Sequence, residues 1–166
     1  TFVHDLLKDM DKGHQTDAIV MDFAKAFDKV PHRRLISKLN FYGIQGSTSQ
    51  WISSFLSCRE QRVVLEGQFS EESPVVSGVP QGTVLGPILF LIFINDMQEN
   101  LSSNIRLFAD DCIIYRKIEK NSDCSSLQED IHKLEIWENS WHMKFNISKC
   151  NIIRFSRKKN PIVHHY

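Results

Sequence analysis

Two aspartates, Asp110 and Asp111, stand side by side between apolar, β-branched runs: Ile105-Arg106-Leu107-Phe108-Ala109 precedes them and Cys112-Ile113-Ile114-Tyr115 follows. Runs of this kind read as two strands, which puts the pair at the tip of a hairpin. Adjacent carboxylates repel each other and gain nothing from an apolar core, so a chain that keeps them there needs a compensating cation. Magnesium is such a cation: it takes oxygen ligands and is commonly held by one or two carboxylates plus substrate phosphates. Taken alone, an Asp-Asp pair is more often a solvated turn. The rest of the chain has to decide.

The 166 residues are 42% hydrophobic and 24% charged, the range of a packed globular domain. No linker, repeat or low-complexity tract divides them, so we expect one domain over 1–159 and a short tail over 160–166. Phe2, Val3, Leu6, Leu7 and Met10 have helical spacing, suggesting that the sequence starts inside a longer protein. An apolar run from Asp17 to Phe23 suits a buried strand with Asp22 at its end. Pro31 suits the first turn of a helix bearing Leu35, Ile36, Leu39 and Tyr42, stopped by Gly43. A second helix follows, with Ser47 or Thr48 as its cap and Trp51, Ile52, Phe55 and Leu56 on one face. Residues Gln61 to Glu66, Gly67 and a run to Val76 predict a hairpin. The turn-rich block Ser77 to Gly82 leads into an apolar helix over 86–97, expected to be buried nearly all round. Residues 122–143 read as a long helix and Cys150 to Phe155 as a strand. The fold class is α+β, long helices packed against a small antiparallel sheet.

No stretch approaches the roughly 20 apolar residues of a membrane span. The cysteines Cys58, Cys112, Cys124 and Cys150 form no CxxC pair, so reduced thiols and an intracellular protein are expected. Twenty basic and twenty acidic residues cancel, which is unlike a free-standing nucleic-acid binder. The bases concentrate near one end: Lys144, Lys149, Arg154, Arg157, Lys158 and Lys159 lie in 143–166 with no Asp or Glu, as a phosphate contact or a solvated basic segment. His164 and His165 lack companion ligands and are assigned to the tail. If Asp22 lies beside the hairpin, three carboxylates could hold two ions roughly 3.5–4 Å apart, the arrangement that drives in-line phosphoryl transfer.

Three blocks carry a family resemblance over nearly the whole chain: Asp22-Phe23-Ala24-Lys25-Ala26-Phe27-Asp28, the run from Ser77 to Pro87, and Phe108-Ala109-Asp110-Asp111. They resemble motifs A, B and C of the reverse transcriptases of jockey-like retrotransposons lacking long terminal repeats. Phe145-Asn146-Ile147-Ser148-Lys149 resembles motif D. The resemblance implies a polymerase palm with partial fingers and no thumb. It implies Asp22, Asp110 and Asp111 as ligands of two Mg2+ ions, with Mn2+ as a possible substitute, and Lys149 as proton donor to the leaving pyrophosphate. Phe23, Phe27, Gln81 and Gly82 are implied to meet the nucleotide, Phe27 leaving no room for a 2′-hydroxyl. A core role for Phe27, a turn role for Gly82 and a surface role for Lys149 stay open, and Asp28 is given no role. Trp51, Trp137 and Trp141 could stack on bases, but their spacing among Leu and Ile reads as core.

The implied partners are RNA template, DNA primer, deoxynucleoside triphosphates, and the rest of a polyprotein with fingers, thumb and endonuclease; no membrane is involved. The implied location is the nucleus at the DNA target and the cytoplasm for ribonucleoprotein assembly. The fragment alone is expected to be inactive. Three alternatives stand: an RNA-templated RNA polymerase, a group II intron maturase, and a decayed copy kept as a binding module.

Overall fold

The computed structural model describes residues 1–166. In chain order the elements are α1 (Phe2–Asp11), β1 (Gln15–Asp22), α2 (Ala26–Lys29), α3 (His32–Phe41), α4 (Gly46–Leu56), β2 (Glu60–Gln61), β3 (Val64–Leu65), β4 (Gln68–Phe69), β5 (Ser73–Pro74), α5 (Leu85–Ile94), β6 (Asn104–Phe108), β7 (Asp111–Ile118), α6 (Asn121–Trp141) and β8 (Asn151–Phe155). Where the sequence showed no break, the chain gathers into two compact units: residues 1–24, 97–140 and 144–166 in one, 25–96 and 141–143 in the other. No helix is long and apolar enough to cross a membrane.

The first unit is built on an antiparallel sheet of order β6-β7-β1-β8. β1 is its centre and reads Gln-Thr-Asp-Ala-Ile-Val-Met-Asp. Such a strand must bury both faces, and alternation splits it between two covers. Thr16 donates to Asp9 of α1 at 3.1 Å, and the Phe2 ring meets Tyr115, whose partner across the sheet is in turn Ala18. Even-numbered residues of β1 therefore face α1. The odd ones, Ile19 and Met21, line a groove with Ile131 and Leu134 of α6. Burial on the α1 face fades along the strand, from Thr16 and Ala18 at 1% and 0% exposed to half-buried Val20 and Asp22. The strand thus ends where its cover thins.

Residues 160–166 have no regular secondary structure, yet they are pinned. Gln15 donates to the carbonyl of Ile162 and accepts from its N–H, both at 2.8 Å, and the Tyr166 hydroxyl donates to buried Asp17 at 3.0 Å. Asp17 also takes the Arg154 guanidinium at 3.2 Å. A buried carboxylate persists only with such partners.

The second unit holds α2 to α5 and the hairpins. α3 packs on α4 and α5, burying Leu35, Leu39, Ile52, Leu56, Leu89, Phe90 and Phe93. Lys38 is buried among them, donating to the carbonyl of Phe93 and to Asp96 while lying 3.7 Å from the Trp141 ring centre. Several expectations are corrected in this unit. α4 begins after Gln45 without a side-chain cap, Gly46 turning the chain at φ 62°, so neither Ser47 nor Thr48 caps it. α5 is buried on one side only: Ile88 and Leu91 are 47% and 48% exposed, because a uniformly apolar helix carries no periodicity to show its outer face. Trp51 is not core but 56% exposed, stacked on Phe55. The single hairpin proves to be two nested ladders, β3 with β4 inside β2 with β5. The inner one turns at Glu66 and Gly67, both with positive φ as a two-residue hairpin requires.

Candidate active site

β6 and β7 form the expected hairpin, with Ala109 and Asp110 in its turn and Ala109 at φ 52°. β1 lies beside β7 in a register that sets Asp22 opposite Asp111. Opposed residues of an antiparallel pair project on the same face, so these two carboxylates share the thinly covered end of the sheet. Beyond Asp22 the chain keeps pairing: Phe23 bridges to Phe145, Ala24 donates to the Lys144 carbonyl and Asn146 to the Asp22 carbonyl, each bond 2.7 Å. A tight turn over Ile147–Lys149 then carries the Lys149 ammonium back to 2.9 Å from Asp22 Oδ2. Asp22, Asp110, Asp111 and Lys149 thus lie within the first unit.

The electrostatics of this end centre on Asp22 Oδ2, which is buried and receives no aligned hydrogen bond. The Lys149 contact is an ion pair off the direction of a good donor. Asp22 raises the Lys149 ammonium above its ordinary value, with smaller contributions from Asp110 and Asp111. All three carboxylates therefore act on one cationic centre. They do not converge at ligand distance: no group of three His, Cys, Asp or Glu side chains is gathered to hold a metal. The register sets Asp22 and Asp111 side by side, with Asp110 in the adjoining turn. Like charges keep apart until a cation lies between them. The donors are all oxygen, and one, Asp22 Oδ2, is buried facing only a lysine ammonium, which suits a hard divalent cation of the kind held by one or two carboxylates.

Phe23 is 3% exposed, its ring stacked on Phe145 at 4.6 Å. Phe27, Gln81 and Gly82 lie in the second unit. The Phe27 ring is half-buried and stacked on Phe90 at 4.8 Å, and its carbonyl accepts from Val79 N–H at 2.7 Å. Asp28, given no role by the sequence, has one here: its carboxylate accepts from the Gln81 amide at 3.2 Å, and its carbonyl accepts from the Ser77 hydroxyl at 2.8 Å. No spacing signal marks a pair 53 residues apart. His32 was missed likewise, its ring 2.7 Å from the Gly78 carbonyl. Gly82 sits at φ 77° with no atom within 4 Å of a would-be Cβ, so the space before it is open. Beside these residues lies a groove of about 480 Å³, lined by Lys25, Asp28, Arg59, Glu60, Ser77 and Gln81 among others.

Residues 3–162 match the family described as "Reverse transcriptase (RNA-dependent DNA polymerase)". Over 95% of its length the chain is 30% identical to the probable RNA-directed DNA polymerase from transposon X-element of Drosophila melanogaster. It is 29% identical over 92% to that of the mobile element jockey of the same fly. It spans 18% of the length of each. Among solved structures it resembles apo telomerase from Candida tropicalis, with a TM-score of 0.64 and 16% identity over 96% of this chain and 34% of that one. The shared fold is the α+β polymerase palm.

Proposed function

Because this chain belongs to the reverse transcriptase family, we propose that it is the catalytic palm of an RNA-directed DNA polymerase encoded by a retrotransposon without long terminal repeats. The reaction is attack of a primer 3′-hydroxyl on the α-phosphate of a deoxynucleoside triphosphate, releasing pyrophosphate. The observation that carries the reading is the register of Asp22 against Asp111, beside Asp110 and with Asp22 Oδ2 buried against the Lys149 ammonium. These three residues would hold two Mg2+ ions, with Mn2+ able to substitute. When bound, the pair of ions activates the attacking oxygen and stabilises the leaving one.

The remaining roles belong to the chain's own side chains. Lys149 offers an ammonium proton to the leaving phosphate oxygen. Phe27 presents a ring that excludes a 2′-hydroxyl, and its stacking on Phe90 keeps that ring from swinging away. Gln81, steered by Asp28, offers an amide that both donates and accepts, and Gly82 lets substrate approach the backbone. Template RNA, primer and the rest of a polyprotein are the partners, working at nuclear DNA after assembly in the cytoplasm. The chain spans 18% of the length of its relatives, and primer extension is expected to need the rest of the polymerase.

The test exchanges residues 1–166 for the corresponding segment of the jockey polymerase and measures extension of oligo-dT on poly-rA. Extension is expected in the exchange and should fall more than about a hundredfold in Asp22→Asn and Asp110→Asn, since even outer-shell changes around metals cost 10–100-fold. An exchange that polymerises equally well without either carboxylate overturns the assignment.

A further inference from the structure

We propose that Lys149 is an internal counter-ion, and that a divalent cation enters the carboxylate cluster by displacing its ammonium from Asp22. The inference rests on the metal reading above. Asp22 Oδ2 is buried without a hydrogen-bond donor, and the charge facing it is Lys149 Nζ at 2.9 Å. A divalent ion ligated by that oxygen would sit at 2.0–2.1 Å from it. Two cations cannot share one side of one oxygen at those distances, so occupancy is exclusive.

The mounting of Lys149 favours such an exchange. Its backbone is fixed: Asn146 donates to the Asp22 carbonyl at 2.7 Å and Lys149 N–H to the Asn146 carbonyl at 2.9 Å. Its side chain is 65% exposed. The turn holds while the four-carbon stem swings toward solvent, so release needs no backbone change. Loading the site and freeing the Lys149 amine beside it are then one event. A lysine that only braced the strand end would have no such linkage.

The test titrates the 166-residue chain with Mn2+, reading free ion by electron paramagnetic resonance, in wild type, K149M, K149R, D22N and the D22N/K149M double variant, with thermal melts confirming the fold. K149M is expected to bind Mn2+ about two- to fivefold more tightly than wild type, the scale of a largely exposed ion pair. K149R should stay near wild type, and K149M should bring no gain in the D22N background. Equal or weaker binding by K149M overturns the inference while leaving the metal reading intact. So does an equal gain with and without Asp22, which would mark general charge removal. If no variant binds Mn2+ above buffer, the metal reading falls and the inference with it.

Discussion

Within the loop from Ser77 to Pro87, two glycines serve for different reasons. A Cβ on Gly78 would lie 2.8 Å from the Phe27 carbonyl oxygen and 2.9 Å from the Asp28 Cα and carbonyl oxygen, at φ 92°. Every atom in the way is backbone and cannot step aside. Gly78→Ala is expected to destabilise the chain by about 2–4 kcal/mol, the sum of left-handed strain and overpacking. Gly82 is held by φ alone, so Gly82→Ala should cost about 1–2 kcal/mol. Urea denaturation of both variants checks the order, and an equal cost would show that the approach to Phe27 and Asp28 does not constrain the loop. The same approach fixes Phe27. Within the jockey exchange, Phe27→Val is expected to raise incorporation of ribonucleotides relative to deoxyribonucleotides at least about tenfold, the effect of relieving roughly 1.4 kcal/mol of steric exclusion. Unchanged discrimination in single-nucleotide addition would remove the steric role.

Among the elements, α6 shows how a helix can organise a strand far from it in sequence. Its Asp130 is fully buried and accepts from Ser102 N–H at 3.0 Å, Ser103 N–H at 2.7 Å, the Ser102 hydroxyl at 2.8 Å and the Lys133 ammonium at 2.8 Å. Those donors start β6, the first strand of the Asp110-Asp111 hairpin. Burial pushes the Asp130 carboxyl up, but the bonds from Lys133, Ser103 and Ser102 outweigh it and hold it well below the ordinary value of 3.8. A depressed folded-state pKa stabilises above the unfolded value, so this contribution is present at neutral pH and fades as pH falls below about 3.8 toward the folded value. Asp130→Ala should cost about 2–4 kcal/mol at pH 7, with two N–H groups left without acceptors. The difference from wild type should shrink in melts taken below pH 3.8, and a pH-independent difference would refute the charge role. Nothing in the pattern of α6 announced Asp130, because a polar residue one turn past Leu127 looks like solvent-facing surface. The hairpin itself was legible, since two β-branched runs around two aspartates admit little else. The adjacency of β1 was legible only as a requirement of the chemistry, and its register needed the sheet. The burial of Phe23 was not legible, because a motif records which residues recur together, whereas stacking on Phe145 decides which atoms reach solvent.

For the molecule as a whole, charge decides how it meets nucleic acid. The bases concentrated after Met143 suggested a phosphate contact, but three of them are spent internally: Lys144 on Glu138, Lys149 on Asp22 and Arg154 on Asp17. Arg157, Lys158 and Lys159 face no carboxylate, Lys158 donating to the Ile118 carbonyl at 3.4 Å, and the net charge of the chain is zero. A protein that neutralises Z phosphates loses affinity with salt at a slope near −0.9Z, and non-specific binding at physiological salt falls at about 10⁻⁴–10⁻⁶ M. If Arg157, Lys158 and Lys159 each meet a phosphate, this end should contribute about −3 to the log–log salt slope for binding an RNA–DNA primer-template. Fluorescence anisotropy against a labelled duplex from 50 to 200 mM salt measures the slope. Neutralising Arg157, Lys158 and Lys159 together should make the slope shallower by about 3, whereas Lys144→Gln should leave it unchanged because that charge already faces Glu138. A Lys144→Gln change that makes the slope shallower by about 1 would mean that phosphate outcompetes Glu138 for that charge, and the assignment of Lys144 to an internal pair would fail for the nucleic-acid-bound chain.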